Sequence, residues 1–223
     1  MRENSAFAAI LPELAAATGD TVYMVSVSLL VTFVGGLILG IILYATGEHG
    51  LRPHRGINVV LGTVVNVVRS LPFVVLLIVL LGVTRLLVGT AIGPTAAIVP
   101  LSAAGVPFFA RVVENALQEV PRGRIEAVTA MGATDGQVIR KVLLPESTSG
   151  LIAGATLTTV MLIGSSAMAG VVGGGGLGDM ALVYGYQRFN PQVLWSCVVV
   201  LIVLVQGVQM AGDRWVRARA HKR

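Results

Sequence analysis

Charge is scarce in this chain. Only 12% of its 223 residues are Asp, Glu, Lys or Arg, where a soluble domain carries about a quarter. With 55% apolar residues and a mean hydropathy of +0.84, the sequence reads as an integral membrane protein needing several spans. Cysteine is nearly absent. Cys197 stands alone inside an apolar run, which excludes an internal disulfide and marks it as a small core side chain. The histidines are His49, His54 and His221. The first two share a polar stretch without cysteines or a carboxylate cluster, so they read as solvated loop residues and no metal site is expected. Aromatics make up 5% and do not interleave with basic residues, so nucleic acid is not an expected partner. The net charge of +5 has a simpler cause in membrane topology. Lysine occurs only as Lys141 and Lys222, and no G-x-x-x-x-G-K-[ST] run is present. ATP is therefore not held here through a P-loop. All three histidines fall outside the apolar runs, and no two carboxylates share the core of one. An intramembrane protease, which needs a nucleophile with its base or paired carboxylates, is disfavoured.

Five apolar stretches predict an all-α protein with spans at about 21–46, 57–83, 91–117, 147–172 and 191–211. Residues 1–20 mix Arg2, Glu3, Glu13 and Asp20 with a short alanine run and lack the pattern of a cleavable signal. Asp20 is placed to cap the first span. Within it, Gly36 and Gly40 form a small-xxx-small pair for close helix approach. The second stretch carries Asn58, Gly62, Asn66 and Ser70 at four-residue intervals, a polar stripe on one face. Arg69 stands beside that stripe, where an intramembrane arginine is either functional, or snorkels to the cytoplasmic surface or pairs within the bundle. Pro72 is expected to free the Val68 carbonyl and kink the helix. Pro94, Pro100 and Pro107 interrupt the third stretch, which a membrane tolerates only where protein or a wet cavity covers the backbone. Arg111 and Glu114 near its end are spaced to pair. In the fourth, Gly150, Gly154 and Thr158 make a small-residue face for packing or for lining a path. Gly173, Gly175 and Gly178 satisfy G-x-G-x-x-G, but they follow a span instead of a strand, so a flexible turn is expected. Asn190 and Pro191 are cap and first residue of the last span.

Between the third and fourth stretches lies IEAVTAMGATDGQVIRKVLLP, residues 125–145. Pro121 suits a first helical turn, Gly132 ends that helix, and Thr134 with Gln137 forms a capping box for a second. That helix runs to Leu144, where Pro145 closes it or opens the next. Two short helices hinged at a glycine have the shape of a part that docks in another protein's cleft. The spacing resembles the EAA motif of ABC importer permeases: EAA, three residues, G, nine residues, I-x-LP. Glu126, Ala127, Gly132, Leu144 and Pro145 match, while Val128 and Val142 depart mildly. The wider sequence, including NVVRSLPF, PFFARVVENAL, SAMAGVVGGGGLG, YGYQRF and AGDRWVRA, looks like the permease subunit of bacterial methionine-uptake ABC transporters.

Five spans put the termini on opposite sides. One face then collects Arg52, Arg55, Arg111, Arg122, Arg124, Arg140, Lys141, Arg214, Arg217, Arg219, Lys222 and Arg223. The other has Arg2, Arg85 and Arg188, so the first face is predicted cytoplasmic. This places 1–20 outside, a loop at 119–145 in the cytoplasm, and a basic cytoplasmic tail at 214–223. The resemblance implies a type I importer permease fold in the bacterial inner membrane, surrounded by lipid. It further implies a homodimer with two cytoplasmic ATPase subunits, which hydrolyse the ATP, and an external substrate-binding lipoprotein. No cofactor is bound directly and the chain is not itself an enzyme. The implied cargo is D- and L-methionine; another amino acid, an osmoprotectant or a phosphonate is the alternative, with a passive channel behind. Ile125, Glu126, Ala127, Val128, Met131, Gly132, Ala133, Leu144 and Pro145 are the expected ATPase-coupling residues. Asn66, Arg69, Ser70, Ser165, Ser166 and Met168 are the candidates for a translocation path or gate.

Overall fold

The computed structural model describes the backbone of residues 2–220 and the side chains of residues 10–218; residues 221–223 of the basic tail lie outside it. All regular elements among the described residues are helical. The first, α1, runs Arg2–Thr46 without a break. Asp20 is therefore an interior residue and not the expected cap. The preceding turns are rich in good helix formers, and Ile10, Leu14 and Ala17 pack against Leu177, Met180, Val193 and Cys197. The apolar part of α1, Ile10–Thr46, has 37 residues, about 55 Å at 1.5 Å per residue, against roughly 30 Å of hydrocarbon.

The second apolar stretch is two helices, α2 (Arg55–Ser70) and α3 (Phe73–Val88), set at 110° to each other. Pro72 disfavours helical dihedrals at its predecessor, and Leu71 sits at φ −80°, ψ 131°. The Val68 carbonyl is not left free, because the Leu71 N–H donates to it at 3.3 Å. By contrast α4, Pro94–Gln118, passes through Pro100 and Pro107 as one helix. Both prolines are buried, and α4 is packed by α1, α2, α3 and α8 (Thr148–Ala169). Enclosure by protein replaces what each proline removes.

The expected small-residue faces are where α4 docks. Gly36 and Gly40 of α1 lie against Phe109, Ala110 and Val113; a Cβ on Gly40 would stand 2.6 Å from the Ala110 carbonyl oxygen. On the other side Gly150 and Gly154 of α8 meet Ala116 and Val112, and Thr158 is fully buried. Of the two uses open to that stripe, these residues are engaged in packing. Beyond α8, residues 170–175 turn sharply into α9 (Gly176–Met180). The turn, expected to be flexible, is bonded to residues distant in sequence. Gly173 accepts from the Gly93 N–H at 2.8 Å, and the Leu177 N–H donates to Thr21 Oγ1 at 2.9 Å. A widened, π-helical segment, Ala181–Gln187, leads to α10, Pro191–Ala220. Asn190 Oδ1 caps α10 by accepting from Val193 N–H at 3.4 Å.

A Cβ at Gly40 would meet the Ala110 carbonyl oxygen and the Val113 Cβ, both at 2.6 Å, and neither contact is relieved by a rotamer change. Gly40→Val should cost about 1–3 kcal/mol, as overpacking does in other cores. Gly19→Ala, at a helical site with nothing within 4 Å of the added carbon, should gain up to about 1 kcal/mol. Thermal unfolding of the detergent-solubilised protein reads both; equal behaviour of the two variants would contradict the packing account.

Candidate functional site

The C-terminal ends of α1 and α4 meet at one end of the bundle, where Tyr44, Val113, Leu117 and Val120 share an apolar cluster with Val138 and Leu143. The segment after α4 is built on this cluster. Pro121 is the N-cap of α5 (Arg122–Ala130), with φ −58° and ψ 128°, one position earlier than expected. At the far end of α5, Gly132 has φ +87°. The Ala133 N–H donates to the Val128 carbonyl at 3.1 Å and the Gly132 N–H to the Thr129 carbonyl at 2.9 Å. These two bonds, closed by a left-handed residue, form a Schellman stop. The next helix, α6 (Asp135–Val138), starts immediately on the predicted capping box. Gln137 N–H donates to Thr134 Oγ1 at 3.4 Å, and Thr134 N–H donates to Gln137 Oε1 at 2.9 Å. Stop and start thus abut, and the elbow is defined by local hydrogen bonds alone.

Past α6 the helix widens into one π-turn, Ile139–Leu143, and then tightens into α7, Leu144–Glu146. Pro145 takes the second of its two expected roles, standing in the first turn of α7. It has no N–H to give, and the Leu144 N–H donates one residue further back than usual, to the Ile139 carbonyl. Ser147, with ψ 0°, joins α7 to α8.

Exposure divides the expected coupling residues into two groups. Glu126, Ala127, Gly132 and Pro145 are exposed and Met131 is 77% exposed, a polar and an apolar handle on one elbow. Ile125, Ala133 and Leu144 instead pack on the cluster at the bundle's end, and Val128 is half-buried. Ile125 therefore does not share an outward apolar face with Ala127 and Met131. Two ion pairs invisible to the sequence reading hold the elbow: Arg52, in the α1–α2 loop, with Asp135, and Arg124 with Glu146. The first joins residues 83 apart in sequence, and nothing local in the sequence signals it.

The path candidates do not form one cluster. The stripe on α2 meets neighbouring helices at Asn58 and Gly62, while Asn66 and Ser70 are exposed. Asn58 Nδ2 donates to the Leu43 carbonyl at 2.8 Å. Arg111 Nη2 donates to the Gly62 carbonyl at 3.3 Å and to Asn66 Oδ1 at 3.1 Å. The predicted Arg111–Glu114 pair is present at 2.6 Å. Arg69 stands 5.8 Å from the Phe108 ring centre, and Ser70 Oγ donates to the Asn66 carbonyl at 2.8 Å. On α8, Ser166 is buried and donates to the Ile163 carbonyl at 2.7 Å. Ser165 is buried beside Met161 Sδ at 3.6 Å, whereas Met168 is half exposed. Among the described residues no group of three His, Cys, Asp or Glu is placed to hold a metal ion.

Several helices of this chain are long and apolar enough to cross a membrane, and the elbow between two of them is exposed. Residues 36–218 match the family described as the binding-protein-dependent transport system inner membrane component. A Vibrio cholerae relative, named probable D-methionine transport system permease protein MetI, is 50% identical over 206 residues, covering 92% of each chain. The methionine import system permease protein MetP of Bacillus subtilis is 48% identical over 203 residues, 91% of each. An inward-facing structure of the MetNI methionine ABC transporter superposes with a TM-score of 0.91 at 46% identity, covering 94% of this chain and 97% of that one. An amino acid ABC transporter solved with histidines shares the fold, with a TM-score of 0.77 at 18% identity. The chain belongs to the family of binding-protein-dependent transport system inner membrane components.

Proposed function

We propose that this protein is the permease subunit of an ATP-driven importer of D- and L-methionine. The α5–α6 elbow carries the reading: a preformed, outward-facing hinge beside a basic loop, in a chain whose relatives are named as methionine permeases. The protein works as a homodimer in the inner membrane, N-terminus outside and C-terminus in the cytoplasm. Two cytoplasmic ATPase subunits hydrolyse the ATP, and an external binding lipoprotein delivers the cargo. Closure of the ATPases moves the elbow, and the elbow moves α4 and α8, which flank it in the chain, between inward- and outward-open states. Glu126 provides the polar contact and Ala127 and Met131 the apolar one. Gly132 sets the angle between the two helices, with Ile125, Ala133 and Leu144 seating the elbow on the bundle, half-buried Val128 beside them and Pro145 opening α7.

The path runs between two copies of the chain. Met168 on α8 and the exposed edge of α2 at Asn66, Arg69 and Ser70 face it, and Ser165 and Ser166, turned inward, shape α8 behind it.

Two outcomes follow. Affinity purification of the tagged protein from its native membrane should recover an ATPase subunit. Glu126→Ala combined with Gly132→Pro, which removes the acid and forbids φ +87°, should lose it while leaving the permease in the membrane. Retention of the ATPase by the double variant would move the coupling site elsewhere. Cells without their own methionine uptake should accumulate labelled D- and L-methionine when supplied with this permease and its partner subunits. Accumulation of a different solute, with none of methionine, would refute the assigned cargo.

A further inference from the structure

Arg111 sits seven residues before the end of α4, and α4 leads into α5 through only three residues, 119–121. Its guanidinium engages three acceptors on two helices: Glu114 Oε2 at 2.6 Å on its own, and the Gly62 carbonyl at 3.3 Å and Asn66 Oδ1 at 3.1 Å on α2. The Glu114 side chain is only 8% exposed, so the arginine's charge is required there, since a lone buried carboxylate is costly. The same carboxylate borders a 380 Å³ cavity that reaches Arg122, the first residue of α5. One side chain thus stands between the elbow's root and a helix that is not its neighbour in sequence.

Asn58 ties the start of α2 to the end of α1, donating to the Leu43 carbonyl at 2.8 Å and to Thr46 Oγ1 at 3.3 Å; towards α4, apart from Arg69 near the Phe108 ring, the other holds on α2 are weak. Val59, Val60, Val64 and Val67 are more than half exposed, and its inward apolar contacts are Leu61 and Val65 against Leu39, Leu43 and Ala110. Apolar contacts of this kind are non-directional and let one helix slide on another. Hydrogen bonds to an arginine fork fix register.

We propose that Arg111 is a positioning residue of the transport cycle. By gripping Gly62 and Asn66 it makes α2 follow α4 when the elbow moves. This rests on the importer reading above. A lysine at this position keeps a charge for Glu114, but a single ammonium does not reproduce the planar fork that holds two acceptors across the helix gap.

The test uses the permease with its ATPase and binding protein in proteoliposomes, following labelled methionine uptake and ATP hydrolysis together. Wild-type uptake alone bears on the importer reading. Arg111→Lys should lower uptake roughly tenfold, the scale of a lost charge-assisted hydrogen bond, while the ATPase stays bound and hydrolysis continues. More ATP is then spent for each solute moved. Asn66→Ala should shift this ratio in the same direction, and the double variant should transport no worse than Arg111→Lys, because both changes remove one shared link. Unchanged uptake and ATP cost in Arg111→Lys would overturn the proposal. So would losses that multiply in the double variant, or uptake and hydrolysis falling in equal proportion.

Discussion

Close approach of helix backbones along both sides of α4 is the constraint on which this fold depends. In a bilayer there is no hydrophobic drive bringing one apolar helix to another, so helices are held by packing and a few polar bonds. Gly36 and Gly40 admit α4 from one side, and Gly150 and Gly154 from the other. Because α4 is clasped in this way, Pro100 and Pro107 do not break it. A rod held at both flanks is a suitable carrier for a moving part, and the segment it carries is the α5–α6 elbow.

The elbow is built by opposite means. Between Val128 and Gln137, four bonds within ten residues define a stop and a start back to back. None depends on the rest of the protein. Tertiary contacts then orient the preformed unit: Ile125, Ala133 and Leu144 settle on the cluster at the bundle's end, and Arg52 and Arg124 tie it to the first loop and to α7. Exposed ion pairs of this kind contribute only about 0–1 kcal/mol each. They suit a joint that must hold a position without being locked in it. A rigid shape on a lightly tethered mount can dock as a body and change its angle to the bundle without refolding.

What could be read from the sequence follows the same division. The capping box, the Gly132 stop, the Asn190 cap and the Arg111–Glu114 pair depend on residues three to five apart, and all four are present. The glycine faces were legible because helical period alone puts Gly36 with Gly40 and Gly150 with Gly154. The failures lie where the deciding partner is distant. Asp20 has the chemistry of a cap, but packing against α9 and α10 carries the helix past it. The glycine run near residue 175 looks flexible in isolation, yet Thr21 and Gly93 pin it from far along the chain. The stripe on α2 was correctly placed on one face; that the face meets Arg111 could not be known from the stripe.

The π-turn at Ile139–Leu143 holds one residue more than an α-helix would need over the same rise, and that surplus sets how the elbow is rotated about the axis of α8. Deleting a residue there would let the helix wind tightly again and swing the elbow by about 100°, the step of one residue at 3.6 per turn. Exchange of one side chain for another leaves that angle alone. The nine-residue interval between Gly132 and Val142 is therefore a mechanical dimension, and the segment can drift in composition far more freely than in length.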